Sequence, residues 1–479
     1  MFFTFYDNGM SIESGSASSR QRLLLALKAL LQHELQPGEQ LPSVRELTRR
    51  YRTSPVTVSG VLAQLARDGL IVTRPGHGTF VAEAIPAPLG RDLGWQTVTL
   101  SGRSALPGHV QDLFRPPLPD TLPLGSGYPD ETLQPLDLLG KALKEAAKRP
   151  GVWSRLPPEG LEALRVWLAR ELGGEYRASD VLIVPGGQAG LSTVLRALLP
   201  PGAPLLVESP TYYGVLAAAH AVGVQPIPVP ADAQGIRPDL LDVALRSSGA
   251  KVVYLQPRYA NPTGAVLTPE RRVAVLAAAE RAGAFILEDD YARDLTLEGE
   301  PLPPLALAGE GRVVYLRSLT KAAAPGLRIA ALIARGPVLT RLRNARAVED
   351  YFLAGPMQEV ALGVLTARGW PRHLKDLQGA LRVRRDTMVR ALAQHWPEAR
   401  LFLVPQGGYN LWVQLPGGLG DLAFAEGAAR AGVQVSAGSG FFPEESDEAF
   451  VRLSYAAASS GVIEEAVCRL KPLVQGVNS

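Results

Sequence analysis

From about residue 126 onward, short apolar runs alternate with Ala- and Leu-rich stretches of helical periodicity, and each run ends in polar or glycine-rich residues. VLIV leads into PGGQAG, LLVES into PTYYG, VVYLQ into PRYANPTG, FILEDD into YARDL, and VVYLRS into LTKAAAPGLR. That alternation is the signature of a wound α/β domain with a mostly parallel sheet. An open sheet of this kind takes ligands outside the carboxyl ends of its strands. The chemistry is therefore expected at those five endings.

The Gly-rich turn after VLIV presents backbone N–H groups and the positive end of a helix, so Gly187, Gln188 and Ala189 suit a phosphate. Taken alone, such a turn is also an ordinary strand–helix connection. Tyr212 and Tyr213 follow the second run, where a ring can stack on a planar ligand or simply fill the core. Asn261, in the turn Asn-Pro-Thr-Gly, can donate an amide hydrogen to a phenolate oxygen. The fourth run ends in Glu288, Asp289, Asp290 and Tyr291. A buried carboxylate there can pair with a protonated ring nitrogen, and the tyrosine can bond the neighbouring ring oxygen. The same cluster also reads as an acidic loop or a divalent-cation site, but no His lies near it and no metal is expected. In SLTKAAAPGLR, Ser318 and Thr320 stand just before Lys321, and Arg328 follows. Either this is a solvated basic turn, or the amine bonds covalently while hydroxyls and guanidinium hold a phosphate. As a set these residues describe one ligand, pyridoxal phosphate, with the lysine as Schiff-base partner of its aldehyde.

The order Gly-Gly-Gln, Pro-Thr-Tyr, Asn-Pro-Thr-Gly, Asp-Asp-Tyr, Ser-Leu-Thr-Lys and Arg resembles the fold-type I, class I/II aminotransferases over about residues 125–475. The resemblance implies Lys321 as the Schiff-base lysine, Asp289 on the pyridine nitrogen, Asn261 and Tyr291 on the ring oxygen, and Tyr212 stacked on the ring. Ser318, Thr320, Arg328 and the N–H groups of Gly187 and Gln188 would hold the phosphate. FVRLSYA puts Arg452 at the family position of the arginine that grips a substrate α-carboxylate, a task suited to a bidentate guanidinium. LGSGYPD, with Gly127 near the ligand, resembles the segment at the family's pocket mouth. One departure stands out. Relatives carry a tyrosine before a Pro-x-Gly that reaches the neighbouring subunit's phosphate, and WSRLPPEG has Arg155 in its place.

Residues 18–83 are different in kind. RQRLLLALKALLQHEL sets Leu23, Leu27, Leu30 and Leu31 on one helical face before Pro37-Gly38. Ser43 and Glu46 have capping-box spacing, and Ser54 precedes Pro55 as cap before first helical residue. LIVT and TFV form a hairpin whose RPGHG tip is basic, which completes a winged helix-turn-helix. Nine Lys and Arg oppose four Asp and Glu between residues 20 and 81, a balance that favours double-stranded DNA through counterion release. Ser54, Thr57 and Ser59 can approach base edges, and Arg74 and His77 can reach the minor groove or backbone. A basic face on a protein-binding winged helix is the bland alternative. PGEQLPSVRELTRRYRTSPVTVSGVLAQLARDGLIVTRPGHGTFV resembles the GntR family across its DNA-binding domain, which implies Arg45, Thr57 and His77 as DNA contacts, with Ser43, Ser54 and Arg74 beside them. Pro55 stands where that family has Arg.

A GntR-type winged helix joined to an aminotransferase-like domain resembles the MocR/PdxR regulators. The resemblance implies a head-to-tail homodimer whose ligand chemistry at Lys321 moves the DNA-binding domains. The expected function is a transcriptional regulator that senses pyridoxal phosphate or an amino compound; the alternative is an active amino-acid aminotransferase carrying a DNA-binding domain. The expected layout is a disordered 1–17, the winged helix at 18–83, a Pro/Gly-rich linker at 84–125, and the aminotransferase-like domain at 126–475, large part to about 365 and a small α+β part beyond. MFFTFYDNGM lacks a basic head and a long apolar stretch, so it is no secretory leader, and Met10 is the expected start. A single cysteine, Cys468, and no membrane-length apolar run fit the cytoplasm.

Overall fold

The structure, a computed structural model, describes residues 19–33, 35–74, 76–82, 94–99 and 120–475; the disorder expected for 1–17 lies outside them. The chain divides into two compact units, Met1–Ser104 and Ala105–Ser479.

In the first unit, helices α1 (Ser19–His33), α2 (Val44–Arg50) and α3 (Pro55–Arg67) precede a hairpin of β1 (Ile71–Arg74) and β2 (Gly78–Val81). The strands are antiparallel, from Ile71 opposite Val81 to Arg74 opposite Gly78. Leu23, Leu27 and Leu30 of α1 bury against Leu47, Val58, Val61, Leu65 and Ile71. Leu31 is only partly buried, because one step along a helix turns a side chain about 100° from Leu30. Ser43 Oγ accepts the Glu46 N–H at 3.3 Å and Ser54 Oγ accepts the Thr57 N–H at 3.1 Å, so both caps form. A short helix, α4 (Gly94–Thr99), lies in the stretch expected to be linker.

The second unit opens with β3 (Leu122–Pro123), α5 (Leu136–Ala146), α6 (Glu162–Leu172), β4 (Val181–Val184), α7 (Gly187–Leu198), β5 (Pro204–Ser209), α8 (Tyr213–Val222) and β6 (Gln225–Asp232). There follow β7 (Gly235–Ile236), α9 (Pro238–Ser248), β8 (Val252–Leu255), α10 (Pro269–Ala282), β9 (Phe285–Asp290), β10 (Val313–Ser318) and β11 (Ala330–Ile333). These strands build one sheet in the order β4-β11-β10-β9-β8-β5-β6-β7. Strands β6, β5, β8, β9 and β10 run parallel, whereas β11 is antiparallel to both neighbours. Successive residues feed opposite faces: Val181, Ile183 and Ile286 enter one apolar cluster, and Leu182, Val184 and Leu287 the other. The sheet is thus covered on both sides, which is why its strands are continuously apolar.

Next come α11 (Pro337–Asp350), whose Val338, Leu339 and Leu342 join the apolar cluster of Leu182 and Val184, and α12 (Gly355–Leu365). The small part comprises α13 (Trp370–His395), β12 (Arg400–Leu401), β13 (Asn410–Gln414) and α14 (Asp421–Arg430), then β14 (Val433–Gln434), β15 (Ser436–Ala437), β16 (Phe450–Ser454) and α15 (Ser460–Gln475). Its antiparallel sheet runs β12-β13-β16-β15. Residues 122–124 fall in the stretch expected to be linker. Strand β3 pairs in parallel with β14, and Leu124 is fully buried, so residues 122–124 belong to the folded unit and dock on its small part. Arg384 of α13 fastens the same stretch through Asp130 at 2.5 Å. Among the described residues no helix is long and apolar enough to cross a membrane.

Candidate functional site

The ends of β4 and β10 meet in a cradle. Gly186, at φ +95°, turns the chain into α7, and a Cβ there would fall 2.5 Å from Arg328 Nη2. Only glycine leaves room for that guanidinium, which donates to the Pro185 carbonyl at 3.2 Å. A Cβ on Gly187 would lie 3.9 Å from Ser318 Oγ, so the first turn of α7 faces the end of β10. Ser318 Oγ accepts the Thr320 N–H at 3.3 Å, while Thr320 Oγ1 is buried without a hydrogen-bond partner. Buried hydroxyls rarely stay orphaned in proteins. An unpartnered hydroxyl, a guanidinium and the N-terminus of α7 together fit an oxyanion.

Beside the cradle lies Lys321. The residue is half-buried; its Nζ donates to the Gly127 carbonyl at 2.6 Å and sits 4.1 Å from the Tyr128 ring centre. Burial first, then the Arg452 charge, pulls its pKa down to about 7 against the pull of Asp289. The Tyr409 hydroxyl donates to the Lys321 carbonyl and steadies the backbone. Asp289, at the end of β9, is 5% exposed, and burial pushes its carboxyl up to about 6 although Tyr254 and Gln256 donate to it. Asn261 Oδ1 accepts from Arg452 Nη1 at 3.1 Å. Arg452 on β16 is buried; Nη2 reaches the Gly125 carbonyl at 2.7 Å and Ser436 Oγ at 3.1 Å, and Nε has no partner. Tyr212 packs 4.9 Å from Tyr213 and donates to Gln188 Oε1 at 3.3 Å. Tyr291 sends its hydroxyl to the Tyr259 carbonyl at 2.6 Å rather than leaving it free. Arg155, by contrast, is exposed.

In the first unit, Arg45, Arg74 and His77 are exposed, and Thr57 is half-buried. The Arg74 guanidinium lies over the Phe80 ring at 4.9 Å. Gln40 Nε2 donates to the His77 carbonyl at 2.9 Å, which ties the wing tip to the strand bridge at Gln40. Ser43 and Ser54 use their oxygens as helix caps, and Ser54 Oγ also bonds Thr57 Oγ1 at 2.8 Å. The hydroxyls expected to read bases are thus partly committed to the helix start.

Comparison with known proteins agrees with both halves. The aminotransferase class I and II family matches residues 119–470. The chain belongs to that family. Bacterial regulatory proteins of the gntR family match residues 21–81, so a GntR-type DNA-binding domain is fused to the aminotransferase-like domain. The HTH-type transcriptional regulator TauR of Rhodobacter capsulatus is 29% identical over 95% of this chain and 96% of its own. The 2-aminoadipate transaminase of Thermus thermophilus is 30% identical over 75% of this chain and 91% of its own. The crystal structure of the Thermus thermophilus α-aminoadipate aminotransferase LysN, complexed with N-(5'-phosphopyridoxyl)-L-leucine, superposes with a TM-score of 0.74 at 28% identity, over 80% of this chain and 99% of that one.

Sequence reasoning missed several residues of this aminotransferase-like pocket. Tyr254 and Gln256 both bond Asp289, Tyr128 faces the Lys321 amine, and Ser436 and Gly125 anchor Arg452. Gln256 carried a readable signal, a lone amide closing an apolar strand; the others come together only through tertiary contacts.

Proposed function

We propose that this protein is a transcriptional regulator that binds a double-stranded DNA operator through its GntR-type domain and senses pyridoxal phosphate, or an amino compound together with it, at Lys321. The observation that carries the reading is the Lys321 amine, whose pKa burial and then the Arg452 charge draw down to about 7 against the pull of Asp289, beside an oxyanion cradle with an unpartnered hydroxyl. When bound, pyridoxal phosphate supplies an aldehyde that condenses with a primary amine and a ring that withdraws electrons. Ser318, Thr320, Arg328 and the N–H groups of Gly187 and Gln188 would hold its phosphate. Asp289 would face the ring nitrogen and Tyr212 the ring face; Asn261 would hold the ring oxygen, joined by Tyr291 if its hydroxyl gives up the Tyr259 carbonyl. Arg452, with its free Nε, would take the carboxylate of an effector, and Gly127 lines the mouth. Arg45, Thr57 and His77 would contact DNA, with Ser43, Ser54 and Arg74 adjacent. The assembly is a head-to-tail homodimer, and the compartment is the cytoplasm.

Borohydride reduction in the presence of pyridoxal phosphate, followed by peptide mapping, tests this. A pyridoxyl adduct on Lys321 is expected, and Lys321→Ala should lose both the adduct and ligand-dependent regulation. No adduct at Lys321 overturns the proposal. A second reading, a working aminotransferase, is favoured by the similarity to the 2-aminoadipate transaminase over most of that enzyme. Half-transamination with a panel of amino acids and then 2-oxo acids, followed spectrally, supports it if turnover over both halves reaches the range of about 1 s⁻¹ or more.

A further inference from the structure

Gln256 follows β8 and is 3% exposed, yet it makes three hydrogen bonds to three separate parts of the pocket wall. Its backbone N–H donates to Glu208 Oε2 at the end of β5, at 2.9 Å. Its Nε2 donates to Asp289 Oδ2 at the end of β9, also at 2.9 Å. Its Oε1 accepts the N–H of Asn261 at 2.9 Å. That last bond fixes which way the amide points, since a flipped amide would set two donors against each other and an oxygen against a carboxylate. The Tyr254 hydroxyl, on the same strand, donates to the same Asp289 Oδ2 at 2.8 Å. Two donors therefore converge on one carboxylate oxygen, and among the described residues none reaches the other.

We propose that Gln256, acting with Tyr254, is a positioning residue that keeps Asp289 the weaker base of its pair with a ligand ring nitrogen, so that the shared proton resides on the ligand. The inference rests on the pyridoxal phosphate reading. Hydrogen bonds given to a carboxylate stabilise its charged form and lower its basicity. Here they oppose burial and the neighbouring Asp290, both of which raise the Asp289 carboxyl, while Lys321 acts in the same sense as the donors. Behind Gln256, burial pushes the Glu208 carboxyl up to about 8, so at neutral pH it is largely protonated and adds little negative charge to that wall.

The test uses the full chain loaded with pyridoxal phosphate carrying nitrogen-15 in its ring, whose chemical shift reports the ring proton directly. The unaltered protein should hold that nitrogen protonated through the neutral range. Tyr254→Phe and Gln256→Met should each move the sharing equilibrium about tenfold toward Asp289, the size expected from one hydrogen bond to a charged group. The pair should move it further, with the melting temperature and DNA binding read in parallel. Tyr254→Phe removes a single oxygen, so it remains informative even if Gln256→Met fails to fold. An unchanged nitrogen signal in the variants overturns this inference and leaves the cofactor reading standing. An unprotonated nitrogen in the unaltered protein also overturns it. Failure of the unaltered chain to take up labelled cofactor overturns the reading and the inference together.

Discussion

At Lys321 the decisive quantity is a protonation state. An exposed lysine amine carries its proton at neutral pH and does not attack an aldehyde; this one is drawn down to about 7 by burial and Arg452. Reductive trapping at Lys321 should therefore rise with pH around a midpoint near 7, far below that of the exposed lysines, when adduct is counted by mass spectrometry. The same shift acts on stability. Between about 7 and the ordinary 10.5, the unfolded chain holds a proton that the folded chain lacks, so stability from this group increases with pH across that window. In Lys321→Met that slope should vanish from a denaturation series. Gly186 offers a second residue-scale check. A methyl there meets the Arg328 guanidinium at 2.5–2.7 Å on a backbone at φ +95°, so Gly186→Ala should strain the turn by about 1 kcal/mol or more and displace the arginine. Phosphate affinity, measured with inorganic phosphate as competitor of pyridoxal phosphate, should fall; an unchanged affinity would remove Arg328 from the cradle.

Among the elements, α2 and α3 separate two jobs that the sequence runs together. Ser54 caps α3, and Ser54→Ala should cost the first unit about 1 kcal/mol of stability. Arg45 is exposed near the start of α2 and makes no ion pair among the described residues. Arg45→Ala should leave melting unchanged, weaken binding to all DNA sequences alike, and reduce the slope of log affinity against log salt by about 1. A base-specific loss with an unchanged slope would make Arg45 a reader instead of an anchor. Both helices were legible in the sequence because their cap residues sit at fixed offsets from an apolar periodicity. The large sheet was legible for a similar reason: strands buried on both faces, such as Val181–Val184, are apolar without interruption. Leu122–Pro123 was not. Its pairing spans only two residues, with a partner more than three hundred positions away, and its Pro-rich neighbourhood reads locally as a linker. Tyr254 and Gln256 escaped for another reason, since their role exists only where β8 lies beside β9.

Across the whole molecule, the question is how a ligand in one unit can change what the other binds. Residues 125–128 lie near the start of the described part of the second unit, and two cations hold them: Arg452 on the Gly125 carbonyl and Lys321 on the Gly127 carbonyl. A ligand that occupies the amine and the guanidinium competes for both of those bonds. Any such effect is limited by the ligand's difference in affinity between the two states of the protein. Thermodynamic linkage then gives a demanding prediction. If pyridoxal phosphate changes affinity for a selected operator by some factor, the operator must change affinity for pyridoxal phosphate by the same factor, and couplings of this kind typically amount to about 5- to 150-fold. Fluorescence anisotropy of labelled DNA with and without the ligand, set beside spectral titration of the ligand with and without DNA, measures both sides. Lys321→Ala should bring the first factor to one while leaving DNA affinity intact. A factor of one in the unaltered protein, for pyridoxal phosphate and for a panel of amino compounds added with it, would mean that the two halves share a chain but no free energy. The sensor reading would then fall, and the aminotransferase reading would be the one to pursue.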